Sequence, residues 1–556
     1  MFTRGKNPEY WEALRDGECS DFLKKQYEIH YIGDEIPSLT YNVRMLHDRV
    51  GTRREFETPY FRRRKCLSAS ALLFAVYPEC KEYFDKMQDL IYAICEEWSW
   101  AVPAHTYDVG INGDTQIDLF SAETALMLAE IYYIHEDKLE PIIKACIERE
   151  LKRRIFDAFE NKHYWYEECT HNWAPVCAGN VACAMLYMDP ERFWRNEERL
   201  LMPMKNFIDA QPNDGTCLEG INYWTYGFGF YAMTADILYR GTDGKIDLFT
   251  DPKVKTIAKY PIHAFMRGNI SISNADSVPD SKVDDSLIRL LKTRFGDDIS
   301  PLPKELYAFW SGNVGWLNMS RRVLYWGEPE ADGRLESVDL LDAGQVIVHE
   351  DKYSLFVKGG HNAEPHNHND LGSFIISTDD GPVFCDLGAG LYVFGYFIPE
   401  TRYDYFCNCS RGHSVPIING KYQLPGKERC ATLAHEGNVA TVEFASAYGI
   451  PELESVKRSF IHEQDSIIMR DSFLGKIDSV TERFISMKTP TLRDGYIEVA
   501  GVRLYYDKDK CRVKITEDKE SFIAHRCTAN PPVATPVYIV DFELTELDSA
   551  EFKFAF

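Results

Sequence analysis

Residues Arg322-Val-Leu-Tyr-Trp-Gly-Glu-Pro-Glu-Ala-Asp-Gly333 stand where the chain changes its hydrophobic rhythm. After Arg322, the next four are apolar, β-branched or aromatic and the run reads as a strand, and the Gly/Pro/Asp run after them is turn chemistry. Downstream, Gln345-Val-Ile-Val-His, Tyr353-Ser-Leu-Phe-Val, Ser373-Phe-Ile-Ile-Ser, Ser466-Ile-Ile-Met-Arg and Arg483-Phe-Ile-Ser-Met repeat the style. Gly, Asp and Asn punctuate them, which predicts antiparallel sheets and a β-sandwich. Upstream, from about residue 65 to 310, the spacing is helical. Ala71 to Trp98 carries Leu73, Phe74, Val76 and Tyr77, then Tyr83, Met87, Leu90, Ile91 and Ile94, the rhythm of an amphipathic helix pair. Segments 116–135, 139–156, 172–187 and 190–208 continue it, with Pro141 and Pro190 at first-turn positions. Paired helices with short connections and no strands between them predict an α/α toroid, an incomplete barrel of helix pairs. The expectation is a multidomain α+β chain, with the toroid over 1–320 and the antiparallel β-sandwich over 321–556.

The chain has 556 residues, with 62 Lys and Arg against 86 Asp and Glu and a formal net charge of −24. At 45% hydrophobic, with 10 Trp, 32 Tyr and 32 Phe, it has material for large cores, which excludes global disorder. No stretch approaches the ~18 uncharged apolar residues of a spanning helix, so no membrane partner is expected. The bulk charge argues against nucleic acid as a partner, because phosphate binding needs a basic surface. The N-terminal stretch MFTRGKNPEYWEALRDGECSD lacks an apolar core followed by a small-residue cleavage site. A cytoplasmic location is therefore expected, or a periplasmic or secreted one if a leader has been trimmed. Fifteen cysteines, without any C-x-x-C pair, read as buried thiols rather than a disulfide framework. Homo-oligomerisation is left open.

Two polar clusters carry chemistry. In Gly359-Gly-His-Asn-Ala-Glu-Pro-His-Asn-His-Asn-Asp-Leu-Gly372, an extended backbone would turn His366 and His368 to one face. Asp386 follows a short apolar run, and His413 lies in Ser-Arg-Gly-His-Ser-Val. Two histidines and a carboxylate suit a tetrahedral zinc, although spacing alone does not show which side chains converge. The second cluster lies in the helical half: His171, Asn172 and Trp173 at a helix start, then Glu219, Tyr223, Trp224 and Tyr226.

His171-Asn172-Trp173, Glu219-Gly followed by Tyr223-Trp-x-Tyr226-Gly, and His366-Asn-His-Asn-Asp-Leu-Gly-Ser-Phe374 together resemble the heparinase II/III-type polysaccharide lyases. That group includes related alginate and chondroitin lyases. The resemblance covers most of the chain and implies a cleft between toroid and sandwich. It implies an acidic glycan substrate, glycosaminoglycan type first and alginate second, cleaved by β-elimination to an unsaturated uronate. That reaction needs the C5 carboxylate neutralised, the C5 proton removed and the leaving O4 protonated. By resemblance Asn172 and His171 serve the carboxylate, Tyr226 donates to O4, and His366 is the opposing base. Tyr223 is the rival for Tyr226, three residues away. Trp173, Glu219, Tyr223, Trp224, His361 and Arg411 are the implied substrate contacts. His368, Asp386 and His413 match the family's metal site, with a structural Zn2+ or another divalent cation. A uronyl hydrolase and a non-catalytic, zinc-stabilised carbohydrate-binding protein are the alternatives. The acidic excess predicts that basic residues concentrate in the cleft and leave the outer helices acidic.

Overall fold

The computed structural model describes residues 3–556 apart from 34, 107–109, 332 and 530. Its N-terminal half is a ring of helix pairs. Arg54–Val76 and Lys81–Cys95 form the pair expected around residues 71–98. Leu119–His135 and Trp173–Met188 are apolar around most of their circumference and buried along nearly all of their length, so they pack inside the ring against each other. Local chemistry sets their ends. Asp118 and Ser121 close a capping box on Leu119–His135, and Pro141 and Pro190 both occupy first-turn positions. One short hairpin, Phe265–Met266 with Ile270–Ser271, interrupts the helices. The expectation of no strands in this half is therefore corrected: the hairpin turns the chain toward the sandwich.

The strand expected at Arg322 is also corrected. It is the last turn of the helix Trp316–Leu324, and the first sandwich strand is Val338–Leu340. Four apolar residues in a row fit either period. Here Arg321, whose guanidinium meets the buried Glu130, and Arg322, which meets Asp284 and Asp285, tie the segment to the helices.

The sandwich opens with an antiparallel sheet in the order Val338–Leu340, Gln345–His349, Ser354–Lys358, Phe374–Thr378, Gly381–Phe384. Its side chains alternate between two cores. Ile347, Phe356 and Ile375 pack into the helical core, whereas Val346, Val348, Leu355, Val357, Phe374 and Ile376 pack into the sandwich core. Both faces are dry, which is why these strands read as continuous apolar runs. The sheet is the wall shared by the two halves, and the loops at its edge reach the cleft. A nine-stranded and a four-stranded sheet complete the sandwich. The largest buried charge there, Arg458, is met by Asp471 and Glu482. Among the described residues no helix is long and apolar enough to cross a membrane, and all fifteen cysteines are free of disulfides.

Candidate active site

A cleft of about 970 Å³ lies between the helical half and the loops of the sandwich. Asn172, Trp173, Tyr223 and Tyr226 line it from the helical side and His366 from the sandwich side. Asn172 is the residue before the helix Trp173–Met188 and makes no side-chain cap. His171 Nδ1 lies 3.2 Å from Asn172 Oδ1, so a donating imidazole leaves the Asn172 amide N–H groups to face the cleft. His171 itself stands behind Asn172 against Trp165; burial lowers its pKa and keeps it neutral.

Tyr223 and Tyr226 flank the start of a π-helical turn, Trp224–Phe228. Both residues line the cleft, but their hydroxyls meet different partners. Tyr226 Oη donates to the buried Glu123 at 2.9 Å. Tyr223 Oη lies 2.8 Å from Tyr392 Oη and 3.3 Å from His366 Nδ1, and its ring packs on the His366 imidazole at 4.3 Å between centroids. Burial, then the charges of Asp276 and Glu219, push the Tyr223 phenol well above its usual pKa; burial, then Glu123, do the same for Tyr226. Both are protonated donors at neutral pH. Glu123 is itself pushed up to about 8, chiefly by burial.

His366 and His368 do not share a strand face as expected. Their segment is irregular, and His366 takes the left-handed conformation at φ +56°, a costly one for a residue with a Cβ. What brings the two imidazoles together is Asp276. Its two oxygens receive His366 Nδ1 at 2.6 Å, His368 Nε2 at 3.1 Å, Tyr396 Oη at 2.8 Å and Arg402 Nη2 at 3.1 Å. Against the burial penalty, the Arg402 guanidinium and the two histidines hold this carboxyl well below the usual range. With Nδ1–H committed to Asp276, His366 turns Nε2 toward Glu219, 3.4 Å away. Glu219 is raised, first by burial. Gly220, at φ +83°, allows this approach: a Cβ there would stand 2.5 Å from Ser277 Cβ.

Beside this network His368, Asp386 and His413 gather one ligand atom each within 4.8 Å of one another, all buried. Their chemistry fits a divalent cation. His413 Nε2 donates to the Cys407 carbonyl at 2.7 Å and His368 Nε2 to Asp276, so both Nδ1 lone pairs are freed for the same point. Both Nδ1 atoms are buried without a hydrogen-bond partner.

Three implied substrate contacts are corrected. Trp224 is buried and donates its indole N–H to the Ile257 carbonyl at 2.9 Å, away from the cleft. His361 sits on the strand Gly360–Asn362, where its Nδ1 accepts from the Ala363 backbone. Arg411 folds onto Cys409 Sγ and the Asp404 carbonyl. Nor do bases dominate the cleft. Arg53 pairs with Glu57 and Arg526 with Asp280, so local charges largely cancel. Sequence reading missed Asp276, Arg402, Tyr392, Tyr396 and Glu123. Asp276 sits in Ser-Asn-Ala-Asp-Ser, indistinguishable from a solvated turn.

Residues 332–539 match the family model described as heparinase II/III-like, C-terminal. The chain carries a heparinase II/III-like domain. No curated protein matches the chain by sequence. Among solved structures, heparan sulfate lyase HepC of Pedobacter heparinus (a mutant) is 13% identical, with 98% of this chain and 90% of that one covered and a TM-score of 0.59. Chondroitin AC lyase of Streptomyces coelicolor A3, in complex with chondroitin sulphate, is 10% identical over 97% and 83%, with a TM-score of 0.52. A xanthan lyase of Paenibacillus is 11% identical over 99% and 59%, with a TM-score of 0.57. These likenesses span the helical half as well as the heparinase II/III-like domain, so the whole architecture is shared.

Proposed function

We propose that the protein is a lyase that cleaves uronic-acid-containing glycans by β-elimination. The observation that carries this reading is the meeting of Asn172, Tyr223 and His366 in one cleft, across the seam between a helical ring and a heparinase II/III-like domain. The Asn172 amide would hydrogen-bond the C5 carboxylate and so acidify the C5 proton. His366 Nε2, kept as a lone pair by Asp276, takes that proton; electrons from the C5–H bond form C4=C5 as the C4–O4 bond breaks; Tyr223 protonates O4. Acid and base come from opposite walls but adjoin each other, with 4.3 Å between their ring centroids, and that closeness favours a syn elimination. Tyr223 is preferred to Tyr226 because its hydroxyl adjoins the base, whereas Tyr226 spends its proton on Glu123. Glycosaminoglycan fragments are the first substrate class and alginate the second.

A divalent cation at His368, Asp386 and His413 would supply a charged anchor that fixes the loop carrying His366. A hydrolase would need two carboxylates facing the bond. Of the carboxylates that line the cleft, Asp276 is fully buried and spends both oxygens on protein donors, while Glu57 and Asp280 are paired with Arg53 and Arg526. The test is incubation with heparan sulfate, chondroitin, hyaluronan and alginate oligosaccharides while the ultraviolet absorbance of unsaturated uronate is followed. Absorbance that rises with the wild type and not with Tyr223→Phe supports the reading. New reducing ends without the chromophore would refute it.

A further inference from the structure

Along one side of the cleft its two walls meet. There the helical half contributes Gly51 and Arg54, and the sandwich contributes two loops, around 391–397 and 525–529. The two loops are stitched to each other: Gly390 and Ala524 form a bridge, with Leu391 N–H donating to Ile523 and His525 N–H to Ala389. They are then fastened to the helices. Arg54, the first residue of the long helix Arg54–Val76, donates from its guanidinium to the carbonyls of Cys527, Thr528 and Ala529 at 2.5–3.3 Å. Gly51, at φ +76°, lies so close to Phe394 that a Cβ would stand 2.8 Å from Phe394 Cβ. The His47 ring also meets Phe394, at 6.3 Å between centroids. Charge-assisted bonds from one guanidinium to three carbonyls are strong and fix direction as well as distance.

We infer that this clasp makes the enzyme a chain-end lyase, which takes the terminus of an acidic oligosaccharide and does not cut within a long polymer. The inference rests on the lyase reading above. A polymer threading through needs an open path on both sides of the reacting groups, and here the helical half and the sandwich are tied together on one of them. The remaining 970 Å³ is at the upper limit of small-ligand pockets, room for a short saccharide segment. The clasp also reaches the reacting groups: His525 packs on Tyr392 at 4.2 Å between centroids, and Tyr392 Oη meets Tyr223 Oη. An end-bound chain would therefore seat its terminal sugar against the loops that position Tyr223.

The experiment uses the full chain and the best substrate among heparan sulfate and alginate, each as a polymer and as size-uniform oligosaccharides labelled at one end. Solution viscosity and the product ladder are followed from the first minutes. The expected result is one short unsaturated product from the earliest time point, with polymer viscosity nearly constant. Arg54→Ala, checked for an unchanged circular-dichroism spectrum, should raise the share of mid-length products several-fold; Arg54→Lys should raise it less. Mid-length fragments from the wild type, with early loss of viscosity, overturn the inference while leaving the lyase reading intact. Absence of unsaturated product from every substrate removes both.

Discussion

Replacing Asp276 by Ala tests the site where it is most concentrated. The carboxylate is fully buried and accepts from Arg402, His366, His368 and Tyr396 at 2.6–3.1 Å. Removing one partner of a buried ion pair costs about 3–5 kcal/mol, because the other charge is left unmatched. Each neutral donor stranded in the interior costs about 1–3 kcal/mol more, but Ala leaves room for water and relieves the burial of the carboxylate itself. A net loss of about 4 kcal/mol is the expectation, set mainly by Arg402. For a helical half of about 320 residues that corresponds to a melting temperature lower by about 6 °C. Differential scanning calorimetry of wild type, Asp276→Ala and Asp494→Ala measures it. Asp494 pairs with Lys508 in full solvent and should leave the transition where it is. Activity reports the second consequence: without its Nδ1 acceptor His366 loses its fixed tautomer, so kcat should fall by about 100-fold or more while KM changes little. An Asp276→Ala protein that melts within 2 °C of wild type and turns over normally would refute the claim that this carboxylate organises the site.

Three other measurements bear on the same cleft. Tyr223→Phe should lower kcat by about 10²–10⁴-fold without moving the melting temperature, and Tyr226→Phe should cost less turnover; the reverse order in a steady-state comparison would make Tyr226 the acid. Glu123, raised to about 8 in the fold, is protonated there while the unfolded chain ionises near its ordinary pKa. Its contribution to stability is therefore lost as pH rises from about 4.5 to 8, at most about 5 kcal/mol, and then levels off. Urea melts of Glu123→Gln should show a flatter profile across that window than wild type, and parallel profiles would reject the assignment. His413→Ala should lower bound divalent metal and thermal stability together, as should dialysis of the wild type against a chelator. Unchanged metal content in the variant, read by elemental analysis, would remove His413 as a ligand.

The two-part architecture was legible because each half repeats its own period over hundreds of residues, and the shared sheet reads apolar for the reason that both its faces are dry. The Arg322 run was not, since five residues satisfy a helix or a strand and only Glu130, Asp284 and Asp285, far away in sequence, decide between them. In the site, Asn172, Tyr223 and His366 were legible as polar or aromatic residues inside recognisable motifs. Their ranking was not: Tyr223 and Tyr226 look alike on paper, and it is Tyr392 and Glu123 that distinguish them. Asp276 was illegible because its importance lies in four partners, all of them at least 90 residues away. Arg411 and His361 illustrate the converse, chemically suitable side chains that the backbone directs elsewhere.

The π turn at Trp224–Phe228 has a further consequence. A turn of this kind holds one residue more than an α turn, and its wider ring forgoes some packing and hydrogen-bond quality. Deleting a single residue there would let the helix close into ordinary α geometry, with better local bonding. It would also rotate Tyr223, and the segment leading to it, by roughly 100° relative to the helix Gly229–Gly241. The hydroxyl that meets His366 would then face the helical core. Random deletion libraries across 221–229 should accordingly return variants that fold well and do nothing, a dissociation of foldability from turnover that substitution scanning of the same residues would not reveal.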